Sequence, residues 1–402
     1  MPSDSIPPSI SLLRQQPLPL PSAAKHHIEN LIIARTFALC SFVFFTTSIA
    51  NWFSPKTVLN ENREAAKFPE LAWNLASLAS FCRSFENFFN DRFAFREQLV
   101  ARNSLLYLKL FRAPRSQKVL LGKNGFFFYA DYTNRPMMTG SKPFTVDQMY
   151  VWKSLLEERH YWCKQRGIDY FLLLAPGKSS IYPELLPDAY SQCSRRTRTD
   201  QFIDFLKQTG SPVQIIDTRA AVLSGKGRLP LYFKTDSHWN RLGAYYGYKS
   251  MIESIRARHP NVAPPHQLSE FVLRPFPFKW GDLARMQGLF GILSETTVDL
   301  DLKRPYPAEL IRDYHYTENE LGLGAWTRAF GFHRRDSNLP SLVMFRDSFA
   351  RFMIDPFLPD HFSRCSFYWQ PKFSKSIVLR EKPDIVVQQI LERSFYLDSP
   401  EI

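Results

Sequence analysis

The chain has 402 residues, a net charge of +13 and a pI near 9.5, with 35 phenylalanines and 45% hydrophobic residues. That length allows one large domain or two smaller ones with an ample core. The basic balance invites a nucleic-acid partner, but the cations are scattered and no helix-turn-helix, zinc-finger or RNA-recognition pattern accompanies them, so nucleic acid is set aside. A basic surface equally attracts an anionic polysaccharide or a lipid headgroup.

Residues 1–35 are expected to form a disordered tail, rich in Pro, Ser and Leu up to Ala24. Thr36 to Phe53 then runs 18 residues without a charge, just enough to cross a bilayer as an anchor. The competing reading is a cleaved signal peptide, since Ser48-Ile49-Ala50 is a small-x-small site. The segment before it is long for a signal peptide, which favours the anchor. Arg14, Lys25 and Arg35 precede the span and Lys56, Arg63 and Lys67 follow it, so charge does not set its orientation.

Residues 54–118 read as a helical lead-in, with Phe81, Phe85, Phe88, Phe89, Leu99 and Leu106 at helical spacing in one or two helices. Val119 to Phe128 carries a hairpin signal, because Asn124-Gly125 accepts the positive φ angles of a tight turn. Residues 119–402 are expected to form the catalytic domain, where helices alternate with apolar strands. Helices are expected at Val146–Arg166, closed by Gly167, at Thr199–Gln208 and at Arg241–Arg258. Strands are expected at Asp169–Ala175, Val213–Asp217, Ser341–Phe345, Cys365–Trp369 and Asp384–Leu391. Such alternation implies an α/β fold with a mostly parallel sheet covered on both faces. Ligands in such folds sit at the carboxyl ends of strands, where the loop Pro176–Ser180 and Ser348 both fall. Asn261 to Leu339 is Pro-rich and reads as irregular. Of five cysteines, Cys40 lies in the apolar span. Cys82, Cys163, Cys193 and Cys365 could form disulfides or remain free thiols, and they have no metal-ligand spacing.

Two short strings carry the chemistry: Thr235-Asp236-Ser237-His238-Trp239 and Phe345-Arg346-Asp347-Ser348-Phe349. In an extended segment residues i and i+2 face the same way, so Asp236 could hold His238 in one tautomer. His238 could then take a proton from a serine. Ser348 follows an apolar strand and precedes a helix-like run, Phe349 to Leu358, whose N-terminus could stabilise an oxyanion. The competing reading makes Ser348 a helix N-cap. Asp236 and His238 alone could be an ion pair or metal ligands, but no further ligand cluster completes a metal site, and no cofactor is expected.

These strings resemble the alginate O-acetyltransferase J/X family of SGNH-hydrolase-like proteins. The resemblance runs from about Phe85 to Phe395. It rests on Asn90-Asp91-Arg92-Phe93-Ala94-Phe95-Arg96, Gly122-Lys123-Asn124-Gly125, Pro176-Gly177-Lys178 with Tyr182-Pro183-Glu184, Asp236-Ser237-His238-Trp239, Gly281-Asp282-Leu283, Arg346-Asp347-Ser348-Phe349 and Glu392-Arg393-Ser394. It implies an SGNH-like three-layer α/β/α fold behind an N-terminal transmembrane helix. Ser348 would be the nucleophile, His238 the base and Asp236 its orienting carboxylate. It further implies O-acetylation of an exported polysaccharide, with a multi-span membrane-bound O-acyltransferase supplying acetyl groups; the alternatives are a carbohydrate esterase using the same triad with water as acceptor, and a non-catalytic scaffold of a polysaccharide export complex. The tail would then be cytoplasmic and the catalytic domain periplasmic, anchored in a bacterial inner membrane. Lys178, Tyr182 and Arg346 are candidate substrate contacts, with loop packing as the alternative. Arg346 stands where esterases of the wider superfamily carry Gly. No Gly-x-Asn-Asp string supplies an oxyanion asparagine, so only the Ser348 N–H is assigned as an oxyanion donor.

Overall fold

The computed structural model describes residues 22–53, 59, 64–70, 75–190, 196–304, 308–311, 329–334, 338–397 and 400. The chain divides into two units: Met1–Leu59 with Arg63–Arg96, and Asn60–Asn62 with Glu97–Ile402.

In the first unit, α1 spans Ser22–Trp52 and α2 spans Leu75–Arg92. The helix α1 begins well before the expected span, because no Gly or Pro interrupts the chain from Ser22 to Phe53. Residues 22–35 are therefore helical and not a disordered tail; residues 1–21 lie outside the described residues. Within α1, Glu29–Trp52 is 24 residues long and apolar enough to cross a membrane. Trp52 packs edge-on against Phe88, with ring centroids 5.9 Å apart, and Phe68 meets Phe88 at 5.2 Å. The expected lead-in is two helices: Phe95, at φ 58°, breaks the chain before α3 (Arg96–Phe111).

The second unit continues with a hairpin, β1 (Val119–Leu121) and β2 (Phe127–Tyr129). Its turn holds Asn124 at φ 55° and Gly125 at φ 76°, the left-handed region that Asn and Gly tolerate best. There follow α4 (Asn134–Thr139), α5 (Val146–Lys164), β3 (Asp169–Ala175), α6 (Lys178–Ile181), α7 (Arg198–Gln208), β4 (Gln214–Asp217), α8 (Arg219–Ser224) and α9 (Arg241–Arg256). Next come β5 (Phe271–Phe278), α10 (Asp282–Arg285), β6 (Glu295–Leu302), β7 (Glu309–Leu310), β8 (Phe330–His333) and β9 (Leu342–Phe345). The chain closes with α11 (Arg351–Ile354), β10 (Arg364–Tyr368), α12 (Lys375–Glu381) and β11 (Ile385–Leu391).

The main sheet has the order β4-β3-β11-β9-β10-β8-β7. Its first five strands are parallel, while β8 and β7 add on antiparallel, so the sheet is mixed and mostly parallel. An apolar core packs on each face of the sheet. Phe171, Leu173, Val387 and Met344 point into one core with residues of α9 and α11. Leu172, Leu174, Val386 and Phe345 point into a second with residues of α5, α7 and α12. This is why β3 is a nearly continuous apolar run and not an alternating one, while β11 is apolar at both ends and buries Gln388 and Gln389 at its middle.

The region expected to be irregular, 261–339, holds the β5–β6 ribbon and the antiparallel strands β8 and β7, with β7 at the sheet edge. Pro275 and Pro277 obscured β5. They lie two apart on a ribbon strand whose other edge is unpaired, where a missing N–H costs no ladder bond. The expected loop after β3 is also partly helical, as α6. Among the described residues no disulfide forms: Cys163 and Cys365 are buried free thiols, Cys40 and Cys82 are exposed, and Cys193 lies outside the described residues.

Candidate functional site

The Asp236–His238 segment is a bent loop, not the extended strand expected from its sequence. The Tyr232–Trp239 bridge closes it, and Asn240 caps α9 by accepting from the Gly243 N–H at 3.0 Å. Asp236 and His238 face each other through an Asp turn: Asp236 Oδ1 accepts both the His238 backbone N–H at 2.8 Å and the ring Nδ1 at 2.7 Å. A loop without ladder partners must find acceptors for its amides elsewhere. Here they are carboxylates from α10 and β6. Asp282 Oδ1 accepts from the Ser237 N–H at 2.7 Å, and its other oxygen accepts from the Ser237 hydroxyl. Glu295 accepts from the Lys234 N–H at 2.6 Å and the Thr235 N–H at 2.9 Å. In return, the Asp282 N–H donates to Asp236 Oδ2 at 2.8 Å. Gly281 makes the approach possible, since a Cβ there would lie 2.2 Å from the Thr235 carbonyl oxygen.

Ser348 arrives from the other side, past the carboxyl end of β9. The Asp347 N–H donates to Gln389 Oε1 of β11 at 3.0 Å, and the Asp347 carboxylate accepts from the Phe349 N–H at 2.8 Å. Asp347 is therefore the cap of the turn that follows. The Ser348 hydroxyl instead meets His238 Nε2 at 2.7 Å. Trp239 Nε1 donates to the Phe349 carbonyl at 2.8 Å, joining the two strings a second time. The expected helix Phe349–Leu358 is shorter, a 3-10 turn at Ser348–Ala350 and then α11. Asp355 leaves the helical region because it precedes Pro356, whose ring disfavours α geometry at that position. A helix this short contributes little dipole at Ser348.

The electrostatics follow from burial and charge. Burial by itself would lower the His238 pKa, but the charge and hydrogen bond of Asp236, aided by Asp282 and Asp347, raise it overall. Burial opposes ionisation of Asp236, and the His238 partner and two backbone N–H donors outweigh it, so its carboxyl stays well below the usual range. Burial and the neighbouring Asp236 charge push Asp282 up. Asp236, His238 and Asp282 place ligand-type atoms within 4.8 Å of one another. Yet every carboxylate oxygen of the group already accepts a hydrogen bond, so the arrangement fits a proton network better than a cation.

The three side chains expected as substrate contacts lie elsewhere. Lys178, 5% exposed, sits beneath the loop. Its ammonium donates to the Phe127 carbonyl at 2.7 Å, to the Lys234 carbonyl at 3.4 Å and to that of Asp236. Burial pulls its pKa down to about 8 against the pull of Asp236, Asp282 and Glu295. Tyr182 accepts from the Leu231 N–H at 2.9 Å. Arg346, 4% exposed, stacks on Trp369 at 4.5 Å. None of the three lines the cavity of about 560 Å³ into which Ser348 and His238 open. Its walls are aromatic, among them Phe233, Phe278, Trp280, Phe352 and Trp369, with Arg241, Arg285 and Arg351 at its polar points. Sequence reasoning missed Asp282 and Glu295. The Gly281-Asp282-Leu283 string marked the first, and nothing local marked the second.

Residues 119–305 match the family described as SGNH hydrolase-like domain, acetyltransferase AlgX. A probable alginate O-acetylase AlgJ of Pseudomonas syringae pv. tomato is 23% identical over 225 residues, covering 53% of this chain and 55% of that protein. The chain thus spans about half the length of the curated relative it matches. Among solved structures, a DHHW family protein from Eubacterium siraeum aligns at TM-score 0.49 and 17% identity, over 71% of this chain and 94% of that one. The O-acetyltransferase domain of Pseudomonas putida AlgJ aligns at TM-score 0.46 and 16% identity, over 70% and 93%. Bacillus cereus PatB1 with a sulfonyl adduct aligns at TM-score 0.48 and 14% identity, over 69% and 97%. The resemblance to this acetyltransferase family and the SGNH-like α/β reading drawn from the motifs are borne out by the match over residues 119–305.

Proposed function

We propose that this chain, which resembles the alginate O-acetyltransferase J/X family, transfers acetyl groups to hydroxyls of an exported polysaccharide through Ser348, His238 and Asp236. The observation that carries the reading is the unbroken hydrogen-bond line from Asp236 Oδ1 through both ring nitrogens of His238 to Ser348 Oγ, each link 2.7 Å, with Ser348 at the wall of an open cavity. His238 Nε2 takes the Ser348 proton as Oγ attacks the acetyl carbonyl of the donor. The imidazolium then returns that proton to the leaving group, and acetyl-serine remains. An acceptor hydroxyl next gives its proton to His238 and attacks the ester carbonyl. The Ser348–acetyl bond breaks, and Ser348 recovers a proton from the imidazolium. Asp236 holds the tautomer and stabilises the transient imidazolium.

The aromatic walls suit the apolar faces of sugar rings. Under this reading α1 is an uncleaved inner-membrane anchor, residues 119–402 form the periplasmic catalytic domain, and a multi-span O-acyltransferase delivers the acetyl groups. The test uses the purified full chain in detergent with an activated acetyl ester and a panel of oligosaccharides, scored by mass spectrometry. Acetylated sugar formed by the parent, with a loss of about 10⁴-fold or more in Ser348→Ala, supports the proposal. Ser348-dependent release of free acetate without acetylated sugar across the panel would point to an esterase. Equal turnover by Ser348→Ala would remove the nucleophile assignment.

A further inference from the structure

The helix α3 has two unlike faces. One packs Ala101, Leu105 and Leu108 against Ala284, Leu289 and Leu293. The other exposes Leu99, Leu106, Tyr107, Leu110 and Phe111, the last two 65% and 64% accessible. Positions 99, 106 and 110, flanked by 107 and 111, fall on one helical stripe. A contiguous apolar stripe of this kind on a water-facing helix marks a docking surface. Its setting identifies the partner. Arg102, Lys109 and Arg112 are exposed on the same helix and just past its end, and they form no ion pair among the described residues. The helix has a single acid, Glu97, in its first turn. Leucine and aromatic side chains interleaved with unpaired cations are the pattern of a helix lying in a bilayer interface. The same chain carries the apolar helix Glu29–Trp52, which ends well before α3 starts at Arg96, so a lipid surface would be tethered within reach.

We infer that the exposed face of α3 docks onto an anionic phospholipid surface, with Leu106, Leu110 and Phe111 entering the headgroup boundary and Arg102, Lys109 and Arg112 pairing with lipid phosphates. The inference rests on the anchor reading for its tether, not on the Ser348 chemistry. Docking would hold the domain against the membrane from which the acetyl groups are supplied.

The test places a photoreactive benzophenone amino acid at Leu106 of the full chain in nanodiscs of mixed anionic and zwitterionic lipid. Matched chains carry it at Phe42 in α1 and at Leu379, an exposed residue of α12. Lipid adducts at Leu106 well above those at Leu379 are expected. Neutralising Arg102, Lys109 or Arg112 to Gln should lower the Leu106 yield by roughly fivefold per cation, while leaving Phe42 unchanged. Lipid adducts at Phe42 with none at Leu106, or protein adducts in their place, would overturn the docking and leave the anchor standing. Adducts at Leu106 without any at Phe42 would support the docking and sink the anchor.

Discussion

The two halves of the candidate site are held in opposite ways. Ser348 is positioned by regular structure: β9 lies between β10 and β11, and one side-chain acceptor, Gln389, finishes the turn. The Asp236–His238 loop has almost no regular backbone pairing of its own. It is held by two carboxylates, Asp282 and Glu295, by the Asp236 side chain itself, and by one buried ammonium, Lys178. A nucleophile can be carried by a strand end, where the backbone is already satisfied. A base that must face it needs a loop, and a buried loop needs imported acceptors for its amides. The asymmetry predicts that the loop is fragile to distant substitutions and the turn is not.

The sharpest test inside the loop is Asp236→Asn. It preserves shape but removes the charge and favours the wrong tautomer of His238, so acetyl transfer should fall by about 10⁴-fold with the fold retained. Circular dichroism beside the transfer assay checks this, and near-parental turnover would break the assignment. Next in size, Asp282→Ala frees the Ser237 amide and lets the loop shift. Since a misplacement of about 1 Å costs on the order of 10²-fold, a loss of that size in kcat is expected. An equal substitution in the turn, Asp347→Ala, removes a cap worth about 1 kcal/mol and should cost far less activity. If Asp347→Ala proved the more damaging, the comparison would be reversed.

Lys178→Met leaves buried carbonyls unsatisfied and should destabilise the domain by about 2–3 kcal/mol in urea unfolding. It should also change the pH profile. His238 must be neutral to accept the Ser348 proton, and its pKa is raised above 6.5, so activity should fall as pH drops through that raised value. On the alkaline side, Lys178 loses its proton near pH 8, releasing the loop, and activity should decline there. Lys178→Met would lack this alkaline limb while being slower at every pH. An unchanged limb in the variant would assign it to another group.

Much of the fold was legible because its signals are local. Six apolar residues in a row in β3, Tyr170 to Ala175, and the Asn124-Gly125 turn each declare themselves over a few positions. The β5–β6 ribbon was not legible, because Pro275 and Pro277 carry the usual sign of irregular chain, and only strand pairing reveals that their side of β5 needs no donor. The extent of α1 was misjudged because charges at Lys25, Glu29 and Arg35 ended the apolar run without ending the helix.

For the site, the sequence alone determined which residue types are present and that Ser348 stands after a strand. It also placed Asp236 and His238 two apart, although a bend and not a strand brings them face to face. Only the tertiary structure decided that His238 reaches Ser348, that Asp347 takes the cap, and that Lys178, Tyr182 and Arg346 lie behind the cavity and not in it. The reason is physical. Strand, turn and helix propensities depend on neighbours along the chain, whereas the carboxylates and the ammonium that hold this buried loop come from segments 45 to 60 residues away, and no local pattern specifies which carboxylate will arrive.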